Sequence, residues 1–164
     1  QVGQFESSDA LLDKWLTDIW LEGNGGGNAG ESYMLPWYFA ARHTTIDCFE
    51  KRKQKGFLFT VGDEPVLPSV PSNFLKRLMG EGQYEDYFST KLLEMASAKY
   101  NVFHIHIKET SSGSRQQVMD GWKQLLSDNL LIVNRKDDVA RIIVDTICPV
   151  KFSDFMNKPV EMML

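Results

Sequence analysis

Asn28, Glu31 and Asp63 carry side-chain oxygens on two separate stretches of chain, and are the first candidates for chemistry. Asn28 lies within a glycine-rich run (Gly-Asn-Gly-Gly-Gly-Asn-Ala-Gly over 23–30), Glu31 follows it, and Asp63 closes the apolar run 57–61. Hard oxygen donors on separate loops are what Mg²⁺ or Ca²⁺ takes, and Mg²⁺ keeps water in part of its shell. Asn28 and Asp63 are therefore the candidate metal ligands. Gly26, Gly27, Asn28, Glu31 and Glu64 are the candidate ligand-binding residues around them, with Glu64 taken alone reading as a solvent-facing acid.

The glycine run admits a second chemistry. Gly25, Gly27 and Gly30 fall at G-x-G-x-x-G spacing and open a helix, whose free N–H groups would cradle an anion. A dinucleotide site wants a buried strand directly before the run, whereas residues 15–22 have helical periodicity. No Lys-Ser or Lys-Thr follows, which excludes a P-loop, and a flexible turn is the plain alternative. His104 and His106 stand two apart on one face of a strand, a spacing that zinc can use, but no Cys or third His accompanies them nearby. A structural pair on the polar or half-buried side of a sheet is the expectation. No Ser-His-Asp or Cys-His set can be assembled. Cys48 and Cys148 have core-like neighbours and read as small buried hydrophobes. Asp137 and Asp138 read as a helix cap, Lys51, Arg52, Lys53 and Lys55 as a solvated basic turn, and Trp15, Trp20, Trp37 and Trp122 as core or interface aromatics.

These residues need elements to hold them. Residues 2–5 alternate as a short strand would. Ser8 and Asp9 cap a helix carrying Leu11, Leu12, Trp15, Leu16 and Ile19 at helical spacing. So many glycines over 23–30 exclude any regular element on entropic grounds. Residues 31–44 are helix-like, with Pro36 bending that helix or marking its first turn. The run 57–61 is apolar on both faces, the mark of a strand buried in a parallel sheet, and stops at the loop 62–65. Helices are expected over 72–79 and 85–99, the second bearing Tyr87, Phe88, Leu92, Met95 and Ala96. A strand over 102–107, a flexible loop at 111–114, a helix over 115–126, a strand over 130–133 and a helix ending at Cys148 follow, with Pro149 as the stop. Strands alternating with helices over such connections imply an α/β fold, a three-layer αβα arrangement with a mostly parallel sheet and helices on both faces. Ligands in such sheets collect at the carboxyl ends of the strands, which is where Asp63 and the glycine run belong.

The composition sets the outer bounds. With 164 residues, 43% hydrophobic and 24% charged, the chain suits one domain with a substantial core, placed at 1–148, and a tail at 149–164 that packs back on it. A net charge of −4 argues against a nucleic-acid-binding surface, and no apolar run approaches the ~20 residues of a membrane helix. Two cysteines make no disulfide framework, so a reduced, cytoplasmic protein is expected. The chain opens at Gln1 with no initiator Met and no signal-type segment, which reads as a truncation or processing point.

The segment Gly25-Gly-Gly-Asn-Ala-Gly-Glu-Ser-Tyr33, the Ala-containing helix Phe39-Ala-Ala-Arg-His43, the basic turn, and Gly56-Phe-Leu-Phe-Thr-Val-Gly-Asp63-Glu-Pro together resemble the second half of a von Willebrand factor A domain. The resemblance runs over roughly 2–148. It implies a metal-ion-dependent adhesion site in which Asn28 stands at the family's loop Thr or Asp and Asp63 at its strand-end Asp. The family's leading Asp-x-Ser-x-Ser motif does not occur here, so the site is partial. By the same resemblance residues 2–5 are the stump of the family's third strand, and the strand over 57–61 lacks its usual neighbour. That open apolar edge would be covered by upstream sequence or by a second copy. The resemblance implies a non-enzymatic protein-binding or scaffolding domain, using Mg²⁺ to accept a carboxylate from a protein partner. The alternative is an α/β nucleotide- or anion-binding enzyme module built on the loop 25–30.

Overall fold

The computed structural model describes residues 3–19 and 31–149. Its centre is a sheet of three parallel strands in the order β1-β4-β5: β1 Gly56–Gly62, β4 Tyr100–Ile107 and β5 Leu130–Val133. Gly56 pairs with Tyr100 and Gly62 with His106, while His104 pairs with Leu130 and Ile107 with Val133. Parallel neighbours need long crossovers. The first runs through β2 (Ser69–Val70), α4 (Ser72–Met79), β3 (Tyr87–Phe88) and α5 (Ser89–Ser97); the second runs through α6 (Gln116–Leu126). Before the sheet come α1 (Asp9–Thr17), α2 (Met34–His43) and α3 (Asp47–Glu50), and after it α7 (Val139–Ile147).

Strand alternation divides the sheet into two unlike faces. Tyr100, Val102, His104 and His106 of β4 share one face with Leu58 and Thr60 of β1. There Tyr100, Val102 and Leu58 join the main core with Met34, Trp37 and Ala40 of α2, Leu92 and Ala96 of α5, and Val118, Trp122 and Leu126 of α6. The other face carries a ladder of rings. Phe59 stacks on Phe103 at 5.3 Å, Phe57 lies 6.3 Å from each, and Phe57 and Val61 are 40% and 41% exposed. Ile105 and Val133 are buried on that face but lie outside the main core cluster.

Several expectations meet a different outcome. Residues 3–5 form no strand. The helix expected over 85–99 starts only at Ser89, because Tyr87 and Phe88 pair antiparallel with Val70 and Ser69 as a separate two-stranded sheet. Tyr87 turns inward against Tyr38, with ring centroids at 5.5 Å, while Phe88 is exposed. That is the period-two burial of a strand. Pro36 sits in the first turn of α2, where a missing N–H leaves no bond unmade. Asp137 and Asp138 make no capping bond. A 3-10 turn over Lys136–Asp138 leads into α7, and the two carboxylates accept from Arg135 (3.0 Å) and Arg141 (2.8 Å) instead. Cys148 is exposed rather than core, and Cys48 is half-buried. Trp37 and Trp122 are wholly buried, whereas Trp15 is exposed on α1, which buries none of its residues. The tail from 150 on and Trp20 lie outside the described residues. Among the described residues no helix is long and apolar enough to cross a membrane.

Candidate functional site

The carboxyl ends of β1 and β4 lie side by side because the strands are paired through Gly62 and His106. Each strand then runs into a polar loop, 63–65 after β1 and 108–114 after β4. Tyr33, one residue ahead of α2, reaches over the first of these. Its hydroxyl oxygen accepts the N–H of Asp63 and of Glu64, both at 3.2 Å. This close approach requires the glycine that precedes them, since a Cβ on Gly62 would fall 2.0 Å from the Tyr33 hydroxyl. Glu31, at the exit of the glycine run, makes a parallel bridge with Val66. Glu31, which follows the glycine run in sequence, and the acid that closes β1 therefore lie at one rim of the sheet.

The second loop is tied to the first through hydroxyl groups. Thr110 Oγ1 donates to Asp63 Oδ2 at 2.5 Å and itself accepts the Gly113 N–H at 3.0 Å. Ser112 Oγ donates to Glu64 Oε2 at 2.9 Å. Glu64 is thus half-buried and bonded, not a solvent-facing acid. Its carbonyl is held by the Trp122 indole N–H at 3.0 Å, and Ser112, itself buried, supplies the donor that its carboxylate needs.

Beneath the rim lies an aromatic and imidazole layer. His104 stacks flat on Trp122, with centroids 3.6 Å apart and planes 10° apart, and Tyr33 meets both rings edge-on at 5.0 and 5.4 Å. Hydrogen-bond logic fixes the tautomers. Thr60 Oγ1 donates to the Phe103 carbonyl at 3.3 Å, so it accepts from His104 Nδ1 at 2.9 Å. The Gly113 carbonyl can only accept, so His106 Nε2 donates to it at 2.8 Å. His104 Nε2 and His106 Nδ1 are buried and, among the described residues, without hydrogen-bond partners. Burial, and then the neighbouring His106, push the His104 pKa down to about 3. Burial also raises the Tyr33 phenol, against the pull of the two backbone N–H groups on its oxygen. The histidine pair, expected on a polar or half-buried face, is fully buried: α6 lays Trp122 over His104, and the loop after β4 meets His106 through the Gly113 carbonyl.

Of the residues singled out from sequence, Glu31, Asp63 and Glu64 come together at this rim. Gly26, Gly27 and Asn28 lie outside the described residues. Among the described residues no three His, Cys, Asp or Glu side chains converge as a metal-binding group; the rim offers the oxygen pairs Asp63–Thr110 and Glu64–Ser112. Sequence reasoning missed Tyr33, Thr110, Ser112, Gly113 and Trp122. A signal for the loop residues was present, in the hydroxyl-rich run Thr-Ser-Ser-Gly-Ser over 110–114 directly after a strand, at the end where α/β sheets place their ligands. Nothing in local patterning marks Tyr33 or Trp122, whose partners are some thirty and fifty-eight positions distant. Comparison with family models, curated proteins and solved structures finds no match.

Proposed function

We propose that this chain is a non-enzymatic protein-recognition domain of the von Willebrand factor A type, and that the rim formed by Glu31, Asp63, Glu64 and the loop 108–114 is its recognition surface. The observation that carries this reading is the joining of the two stretches by the Glu31–Val66 bridge and the Tyr33 hydroxyl. The rim is a polar, tethered surface at strand ends, where partners rather than core residues are met. Asp63, and from outside the described residues Asn28, would supply protein oxygens to a Mg²⁺, with water and a partner completing its shell. When bound, the ion supplies the positive charge that lets an acidic rim accept a partner's carboxylate. In the same reading the free edge of β1, which among the described residues pairs only with β4, takes a further strand from upstream sequence or a second copy.

Thermal unfolding with and without Mg²⁺ tests the metal step. Saturation to a hundred times the dissociation constant stabilises a folded protein by about 2.7 kcal/mol. A rise in Tm with Mg²⁺ that disappears in Asp63→Ala supports the reading. A wild-type protein indifferent to Mg²⁺, or an Asp63→Ala variant that responds as the wild type does, overturns the metal-dependent form. The quantity compared is the response to Mg²⁺, because Asp63→Ala also removes the acceptor of Thr110 and lowers the starting Tm.

A further inference from the structure

A cavity begins beside the rim. Ser32 follows Glu31 and Leu67 follows Val66, and these two residues form one wall of a cavity of about 480 Å³, closed on the other side by the start of α4. Its polar lining is Ser32, Ser69, Asn73 and Arg77, and its apolar lining includes Leu67 and Phe74. Arg77 holds its guanidinium over the Phe74 ring, 5.1 Å from the centroid. Among the described residues neither Arg77 nor the side chains of Ser32, Ser69 and Asn73 have a hydrogen-bond or ion-pair partner. Lys76 of the same helix faces Glu81 at 3.4 Å, and Lys91 of α5 faces Glu94 at 2.9 Å.

That combination has a definite chemical complement. Two hydroxyls, a carboxamide and a planar cation supply donors beside aliphatic and aromatic surface, the cation resting on the Phe74 ring itself. Pockets of about 300–1,000 Å³ with an apolar lining and a few convergent polar groups are the usual form of a small-ligand site. An Arg guanidinium pairs with a carboxylate through parallel N–H donors. With Arg77 the one cation among the lining residues, the fit is to a monoanion on an apolar body, not to a polyphosphate. We propose that this cavity is a carboxylate-binding site, taking an organic acid or a peptide carboxyl terminus whose hydrophobic side chain lies against Leu67 and Phe74. It needs no metal, and so stands apart from the Mg²⁺ step proposed for Asp63.

The test is ¹H–¹⁵N correlation NMR on the intact chain, titrated in the millimolar range with N-acetyl-L-phenylalanine, its uncharged amide, and a tetrapeptide ending in free phenylalanine. The acid should saturate and shift the amide signals of Ser32, Ser69 and Asn73, while the amide binds about tenfold more weakly or not at all. Arg77→Gln should weaken the acid by about tenfold, with Arg77→Lys between the two, because Lys keeps the charge but not the fork. Arg77 is exposed, so neither change threatens the fold. Stronger binding of the peptide assigns the site to chain termini, and stronger binding of the free acid assigns it to metabolite-sized ligands. The proposal is overturned if the wild type shows no saturable shifts, if acid and amide bind alike, or if Arg77→Gln binds as the wild type does. The titration is run without Mg²⁺, so a failed Mg²⁺ response and a failed carboxylate site are read separately.

Discussion

Gly113 is the residue on which the tie between the two rim loops depends, and replacing it by alanine makes a quantitative test. An added Cβ would fall 1.9 Å from the Ile107 carbonyl oxygen and 3.1 Å from Asp63 Cβ. The first obstacle is strand backbone, which has no rotamer to give, so the loop must leave the end of β4. Moving it breaks the Gly113 N–H bond to Thr110 and the His106 Nε2–H bond to the Gly113 carbonyl. A hydrogen bond contributes about 1 kcal/mol, and a buried donor left without a partner costs about 1–3 kcal/mol. His106 is fully buried, so the upper part of that range applies to it. The sum is a loss of about 2–4 kcal/mol, or a Tm lowered by about 5–15 °C for a domain of this length. Circular dichroism melting measures it directly. A Gly113→Ala protein melting within about 2 °C of the wild type would show that the loop does not rest on Ile107 as described, and the tie from β4 to Asp63 and Glu64 would be lost with it.

Gly121→Ala is predicted to act in the opposite direction. It lies inside α6, its Cβ would meet only Val66 Cγ1 at 3.9 Å, and alanine is favoured over glycine in a helix interior by about 1 kcal/mol, so Tm should rise by a few degrees. Acid sensitivity follows from His104. Its unfolded pKa is near the ordinary 6.5 of histidine and its folded pKa is about 3, so below 6.5 the unfolded chain takes up a proton that the folded one refuses. Stability should be fully present above that pH and should fall by up to about 1.4 kcal/mol per unit as pH drops toward 3. Urea unfolding at pH 7 and pH 5, compared with His104→Gln, isolates this contribution, and equal pH slopes for the two proteins would contradict it.

Much of the scaffold was legible because its elements are local. The helix over Ser72–Met79 and the strand Leu130–Val133 occupy the residues that periodicity assigns them, and the strands after Gly56 and before Ile107 differ only at their ends. The misreadings share a cause. Tyr87 and Phe88 continue a three-four apolar spacing that suits a helix, yet Tyr87 is buried against Tyr38, a residue nearly fifty positions earlier. Cys148 has apolar neighbours in sequence, but α7 exposes Val144 and Ile147 and buries none of its residues, so those neighbours do not define an interior. In each case the deciding contact is remote, and periodicity over a short window carries no information about it.

The rim divides along the same line. Asp63 and Glu31 could be found because their position after a strand, or after a glycine run, is itself a local property. What those acids do is set by residues that only the fold delivers: a tyrosine hydroxyl that takes both amides of the turn, a threonine and a serine that occupy the two carboxylates, and an indole that fixes the Glu64 carbonyl. The histidines make the point most sharply. Two imidazoles at strand spacing suggest a ligand pair in sequence, but stacking of His104 on Trp122 and bonds to Thr60 and to the Gly113 carbonyl hold them shut away from solvent. Their role is to brace the loop ends from below, which ties the position of Asp63 to the packing of α6 rather than to the loop that carries it.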